Sequence, residues 1–71
     1  MSLKTEVGKR LKESRKAVQL TQTQVAGLMN MRQQQYSRFE TGRFELNYEQ
    51  IIFLCRLFDI SSDYLLGLAE I

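Results

Sequence analysis

Histidine and proline are absent from this chain, and cysteine occurs only once, at position 55. A single thiol cannot form an internal disulfide, and one cysteine without histidine gives too few ligands for a zinc or other soft-metal site. Because no low-complexity linker or internal repeat interrupts the 71 residues, nothing marks a domain boundary. We therefore expect one small domain over residues 1–71, with Cys55 as a buried structural thiol and not a redox group.

Long apolar segments are also missing. The longest uninterrupted apolar run, Ile51 to Cys55, is far shorter than the ~20 residues that cross a membrane. The first ten residues lack the apolar core of a signal peptide. The chain also has no Gly-rich phosphate loop and no nucleophile–base pair. We expect a cytoplasmic protein that is not an enzyme, with no cofactor, no membrane partner and no evident small-molecule ligand.

Charge is unevenly distributed along the chain, although the net charge is only +2. Residues 1–43 carry nine Lys or Arg against three Glu, a net of +6. Residues 44–71 carry Arg56 against five acidic residues, a net of −4. A basic first half joined to an acidic second half suits a protein that presents one face to a polyanion. The alternative is that these charges only solvate helix surfaces.

Apolar spacing and capping residues predict an all-α fold of five helices. The first should run from about Lys4 to Val18, and Asn47 should cap a fourth whose apolar face is Ile51, Leu54, Cys55 and Phe58. The segment Asp59–Ser61 should break that helix, and a short fifth helix should follow and carry Leu65 and Leu66. No alternating segment of useful length predicts a strand.

The segment from Thr21 to Glu40 is the most informative part of the chain. Thr21 and Gln24 have the spacing of a capping box, and Asn30 suits a tight turn because it tolerates left-handed backbone angles. The next helix should start at Arg32 or Gln33, end at Glu40 or Thr41, and be terminated by Gly42. Its exposed side chains are long and rich in hydrogen-bond donors, as reading base edges in the major groove requires. This predicts a DNA-binding helix-turn-helix unit at about residues 21–41; the alternative is a merely solvated polar face.

Four segments together resemble the phage repressor and Cro-like helix-turn-helix regulators, the XRE family, from about Val7 to Leu66. They are Arg15, the run LTQTQVA from Leu20, the run YSRFETG from Tyr36, and the run ISSDYLL from Ile60. The resemblance implies a five-helix fold of the lambda-repressor type in which helices two and three bind double-stranded DNA. It implies a transcriptional regulator, expected to be a repressor that binds an inverted-repeat operator.

The resemblance and the polar pattern together give expected DNA contacts. The residues expected to read bases are Gln33, Gln34, Gln35, Ser37 and Arg38. The residues expected to contact phosphates are Thr21, Gln22, Arg32, Arg43 and Arg10. Arg15 and Glu40 match a pair that often forms a partly buried salt bridge in this family, so we expect both to be structural.

The chain departs from the family pattern at four positions. Leu46 stands where many members have Pro, and Asn30 stands at the usual Gly of the turn. Arg32 replaces the usual Ser or Thr cap of the recognition helix, which weakens the cap but adds a cation near the expected phosphates. Tyr36 replaces an aliphatic residue, so the core there must be roomier.

Apolar residues beyond what so small a core needs suggest a homodimer. The interface residues expected on this basis are Phe44, Phe53, Leu57, Leu68 and Ile71. Two-fold dimers of this motif bind half-sites ~34 Å apart. A scatter of single exposed apolar residues is the alternative. A second class of function is a protein-binding module, of antitoxin or antirepressor type, that uses the apolar surface of helices four and five.

Overall fold

The computed structural model describes residues 2–70, in which five α-helices and no strand are present. The helices are α1 (Leu3–Ala17), α2 (Gln22–Leu28), α3 (Gln33–Glu40), α4 (Tyr48–Phe58) and α5 (Ser62–Leu66). The predicted all-α, lambda-repressor-like fold is confirmed. Helix α1 lies one residue earlier at both ends than the spacing predicted, because Ser2 caps it and Val18 already leaves helical geometry. None of the helices in this range is long and apolar enough to cross a membrane.

Side-chain caps set the helix boundaries as the sequence predicted. The Thr21 hydroxyl accepts a hydrogen bond from the Gln24 N–H at 3.1 Å, and the Gln24 side chain accepts from the Thr21 N–H at 2.9 Å. Asn47 and Gln50 form the same reciprocal pair at the start of α4. Such a cap satisfies N–H groups that have no partner inside the helix, which stabilises the fold by about 1 kcal/mol each.

Each connection between consecutive helices contains a residue with left-handed backbone angles. Asn30 has φ 57° between α2 and α3, and Gly42 has φ 81° after α3, as their residue types predict. Asp59, with φ 55°, ends α4 inside the segment predicted to break it. Gln19 also has a positive φ, of 62°, which its residue type does not predict.

One apolar core joins all five helices. Its members are Leu11, Val25, Ala26, Tyr36, Phe39, Leu54, Phe58 and Leu65. The methionines that flank the turn, Met29 and Met31, pack against this core but stay partly exposed. The expectation that Cys55 is buried needs a correction, because the thiol-bearing residue lies at the core's edge and is only half-buried.

Gly8 brings α1 into contact with the end of α3. A Cβ atom at this position would overlap the carbonyl oxygen of Glu40 and would lie 2.7 Å from that of Phe39. Both neighbours are backbone atoms, so a side chain could not be accommodated by a rotamer change. The lack of a side chain at Gly8 therefore allows α1 and α3 to lie this close together.

Candidate nucleic-acid interface

The outer face of α3 and the loop that follows it form one open, polar depression of about 290 Å³. Its lining residues are Gln33, Gln34, Ser37, Arg38, Thr41 and Arg43. The structure thus brings together four of the five residues predicted to read bases and one predicted phosphate contact. Thr41 was not predicted as a site residue, although it follows Ser37 by four residues and so lies on the same side of the helix.

Arg43 reaches this depression because the chain reverses sharply after α3. With Gly42 in the left-handed region, the N–H groups of Arg43 and Phe44 both donate to the carbonyl oxygen of Arg38, at 2.9 and 3.2 Å. This backbone closure returns the loop over the last turn of the helix. The Arg43 side chain is therefore exposed and lies beside the end of α3.

Arg38 is positioned by an aromatic support. Its guanidinium carbon lies 5.5 Å from the centre of the Phe44 ring, and that ring packs edge-on against Phe39 with centroids 6.1 Å apart. A cation over an aromatic face is favoured by the ring's quadrupole, by about 0.5–1 kcal/mol at an exposed site. Phe44, predicted to lie in a dimer interface, therefore contacts the end of α3 in this structure.

Gln35 differs from its two neighbours at the start of α3. Its side-chain oxygen accepts a hydrogen bond from the backbone N–H of Arg32 at 3.1 Å, and it does not line the depression. Arg32, the N-cap residue, has no acceptor in its side chain and makes no side-chain cap of its own. Gln35 thus supplies half of a capping box, and its oxygen is engaged with the backbone.

A chain of hydrogen bonds links the buried end of α1 to the first residue of α3. Arg15 Nε donates to Glu40 Oε2 at 2.7 Å, and an Arg15 terminal nitrogen donates to Oε1 at 3.1 Å. Gln22 Nε2 donates to the same Oε1 at 2.9 Å, and Gln22 Oε1 accepts from Gln33 Nε2 at 2.6 Å. Gln33 is therefore held by a partner in α2, which is itself held by the Arg15–Glu40 pair.

The Arg15–Glu40 pair is buried, with 7% and 6% of the two residues exposed. Burial by itself would raise the pKa of Glu40, but the hydrogen bonds from Arg15 and Gln22 and the Arg15 charge outweigh it and hold that pKa below its usual range. The hydrogen bond to Glu40 raises the pKa of Arg15 above its ordinary value. Both groups are therefore charged at neutral pH.

Tyr36 lies beside this pair and is fully buried. Its hydroxyl oxygen has no hydrogen-bond partner among residues 2–70. Burial first, and the neighbouring Glu40 carboxylate second, raise the pKa of Tyr36 well above its usual range, so the phenol stays neutral. The ring accordingly serves as core, with edge-on contact to Phe39 at 6.4 Å between centroids.

Two other predicted phosphate contacts, Thr21 and Arg10, do not line the depression. Thr21 is at the start of α2, where its hydroxyl oxygen accepts from the Gln24 N–H. Arg10 belongs to α1, and its side chain reaches the end of α5, where it donates to the Leu65 carbonyl oxygen at 3.5 Å; it also pairs with Glu6 at 3.8 Å. The structure therefore does not bring Arg10 together with the polar face of α3.

The predicted dimer residues fall in different places. Phe53 and Leu57 share the outer side of α4, Leu68 follows α5 with 78% of its surface exposed, and Phe44 lies at α3 as described. Ile71 lies outside the described residues. Within residues 2–70, no group of three or more His, Cys, Asp or Glu is placed to hold a metal ion.

Comparison with known proteins agrees with this geometry. Residues 8–71 match the model of a family described as helix-turn-helix domain. The chain belongs to this helix-turn-helix family. It therefore has the helix-turn-helix domain of XRE-type transcriptional regulators that the sequence resemblance indicated.

Two relatives come from Bacillus subtilis (strain 168). The domain is 34% identical over 61 residues to the uncharacterized HTH-type transcriptional regulator YobD, an alignment that covers 86% of this chain and 54% of that protein. It is 34% identical over 65 residues to the HTH-type transcriptional regulator ImmR, covering 92% of this chain and 51% of that protein. The chain thus spans about half the length of these curated relatives.

Proposed function

We propose that this helix-turn-helix domain is a sequence-specific transcriptional regulator that binds double-stranded DNA with α3 in the major groove. The observation that carries the proposal is the single depression over which Gln33, Gln34, Ser37, Arg38 and Arg43 converge. Glutamine and arginine are the side chains that pair in bidentate fashion with adenine and guanine edges. The similarity to two proteins named as transcriptional regulators supports the same function.

Among the residues proposed to read bases, Gln33 has a side chain that a hydrogen bond to α2 already holds in place. Its contact with Gln22 uses one of its two amide hydrogens, and its side chain makes no other hydrogen bond within residues 2–70. The second hydrogen and the carbonyl oxygen are the groups that a bidentate contact with adenine N7 and N6 needs. Because Gln22 already fixes the side chain, less rotamer freedom is lost on binding.

Phosphate contacts are proposed for Arg32 at the start of α3, Arg43 just after its end, and Thr21 at the start of α2. Arg43 and Arg32 are exposed, and neither makes an ion pair within residues 2–70. Each phosphate so neutralised releases condensed counterions, so binding should weaken steeply with added salt. We propose repression through occupancy of an inverted-repeat operator, bound by a homodimer.

A protein-binding module remains the second candidate, because α4 exposes apolar side chains at Ile52 and Phe53. Such a module has no need for glutamine and arginine to converge on α3. The polar depression therefore favours DNA binding.

The test is selection of bound duplexes from a random DNA pool, followed by titration of the selected sequences at two salt concentrations. An enriched inverted repeat, with adenine or guanine in each half-site, is the expected result. Weak, salt-sensitive binding without any preferred sequence would refute the proposal and favour the protein-binding module.

The Gln33→Ala variant assigns the contact. It should relax preference at one base position in each half-site, by about 1–3 kcal/mol of discrimination. Ser62→Ala, a change of an exposed polar residue on α5, is the control and should leave the profile intact. If both variants keep the parent profile, Gln33 does not read a base.

A further inference from the structure

The outer side of α4 carries an apolar stripe bounded by opposite charges. Glu49, Ile52, Phe53, Arg56 and Leu57 together line an open depression of about 550 Å³. Ile52 is 51% exposed and Phe53 is 38% exposed, so the stripe is available to a partner. We define the α4 stripe as these five residues together with Tyr48.

These residues share one side of the helix because their spacing follows the helical repeat. Ile52 and Phe53 follow Glu49 by three and four residues, and Arg56 follows it by seven, close to two full turns. The opposite side of α4 enters the core through Leu54 and Phe58. The α4 stripe is thus an outer surface of the domain.

The two charges on the stripe are unpaired in the part of the chain that the structure describes. Neither Glu49 nor Arg56 makes an ion pair within residues 2–70. They lie on opposite sides of Ile52 and Phe53 along the helix. Because seven residues separate them, they cannot form the ion pair that residues three or four apart can form. A partner for the stripe should therefore offer an apolar centre with a cation at one end and an anion at the other.

A second copy of the α4 stripe, running in the opposite direction, offers this arrangement of groups. A two-fold axis passing between positions 52 and 53 would place Ile52 against Phe53 of a second copy and Glu49 against its Arg56. The same axis would place Tyr48 against Leu57. We propose that the α4 stripe is the docking surface for a second copy of this chain, with the two α4 helices packed antiparallel.

Charge selects this arrangement over a parallel one. In a parallel pair, Glu49 would face Glu49 and Arg56 would face Arg56, and like charges destabilise such contacts. The antiparallel pair makes two opposite-charge contacts at its ends and buries the apolar residues between them. It is an isologous contact, since the same patch serves both copies and closes the assembly at two.

The surface is small, which sets the strength of the dimer. Helix α4 has 11 residues and is ~16 Å long, so one helix pair buries less than the ~800 Å² per partner of a stable complex. We expect a dissociation constant of about micromolar or weaker. The proposal deepens the proposed function by giving its homodimer a surface and rests on that function for the expectation of a two-fold assembly.

The test measures the oligomeric state of the full chain without DNA, by sedimentation velocity over a range of concentrations. Each single variant, Glu49→Arg or Arg56→Glu, should weaken the dimer about tenfold, because the two-fold axis makes both end contacts repulsive. The combined variant Glu49→Arg/Arg56→Glu should recover parental affinity. An equimolar mixture of the two single variants should form a heterodimer, since its end contacts are again between opposite charges.

Two apolar positions give a matched control. Ile52→Asp should abolish the dimer, whereas Leu68→Asp, which changes an exposed residue outside the stripe, should leave it unchanged. Both side chains are exposed, and circular dichroism of each variant checks that the helices are retained.

Several outcomes would overturn the proposal: a parental chain that is monomeric throughout, single variants that dimerise like the parent, or a mixture that forms no heterodimer. A dimer lost in Leu68→Asp but kept in Ile52→Asp would place the interface elsewhere. Because DNA is absent, failure here is separate from failure of duplex selection, which would refute DNA reading even if the dimer forms as described.

Discussion

Replacement of Glu40 by glutamine should destabilise the domain more than any change on its surface. The substitution keeps the shape of the side chain but leaves the buried Arg15 guanidinium without an anion. Removing one partner of a buried pair costs about 3–5 kcal/mol. We expect the lower end, about 3 kcal/mol, because Arg15 keeps its 2.8 Å hydrogen bond to the Leu20 carbonyl oxygen and the amide can still accept one from Arg15.

This loss is large for so small a domain. A chain of 71 residues has a free energy of unfolding of about 4–10 kcal/mol, so about a third or more of it would disappear. The melting temperature should fall by about 12 °C or more. Urea denaturation followed by circular dichroism measures the free energy directly, with Glu45→Gln as the control, because Glu45 is exposed and makes no ion pair within residues 2–70.

A double-mutant cycle separates the pair from its parts. Arg15→Met with Glu40→Gln should lose less stability than the two single variants added together, since no unbalanced charge remains. The pair does not couple as described if the free energy of unfolding of Glu40→Gln lies within about 0.5 kcal/mol of the parental value. The same conclusion follows if the stability losses of the two single variants simply add in the double variant.

The pH dependence of the same variant gives an independent test. The pKa of Glu40 is lower in the folded state than its ordinary value of 4.5, so the unfolded chain takes up the proton at higher pH. The stabilisation is therefore complete above about pH 4.5 and is lost as the pH falls through the folded-state pKa. The stability gap between parent and Glu40→Gln should narrow below that point. A gap that stays constant to the lowest pH at which the parent folds would contradict the assigned charge state.

Three further predictions concern the helix contact, the phosphate contact and the support of the recognition helix. Gly8→Ala should destabilise by about 1–3 kcal/mol, because the methyl group meets backbone atoms, whereas Gly27→Ala, with nothing within 4 Å, should stabilise by about 0.5–1 kcal/mol in denaturant titrations. Equal effects of the two changes would show that the α1–α3 distance can relax. Arg43→Ala should weaken DNA binding about equally on all sequences and reduce the salt slope by about 1, with the exposed Lys16→Ala as the charge-matched control; an unchanged slope would exclude a phosphate contact. Gln22→Ala removes the acceptor that fixes the first side chain of α3, so selection from random DNA should show relaxed preference at the base position which that side chain reads; an intact profile would show that the hydrogen bond gives no support.

The features that the sequence predicted are those fixed by residues close together in the chain. The caps at Thr21 and Asn47, the left-handed turn at Asn30 and the stop at Gly42 each depend on chemistry within about four residues. For the same reason the five helices could be placed to within one or two residues.

Features that depend on how the helices cross could not be predicted in this way. The contact of Gly8 with the Glu40 backbone joins residues 32 positions apart, and the sequence shows only a glycine inside a helical pattern. The hydrogen bond from Gln33 to Gln22 needs α2 and α3 to meet at one particular point. Arg10 carries a positive charge as expected, but the packing of α1 against α5 directs it towards Leu65, which its spacing could not indicate. In the sequence, Gln35 cannot be told apart from its two glutamine neighbours. Only the structure shows that its side chain accepts a hydrogen bond from the Arg32 N–H at the start of α3.

The hydrogen-bonded chain from α1 to Gln33 has a consequence for transplanting specificity between proteins. A graft of residues 33–38 alone into another scaffold would carry the glutamines but leave behind Gln22, Glu40 and Arg15, which hold the first of them in place. The transplanted Gln33 side chain would then be free to rotate, and the proposed base contact would be less selective. A graft that keeps the geometry of Gln33 therefore has to include the three supporting residues, of which Arg15 and Glu40 are buried inside the domain.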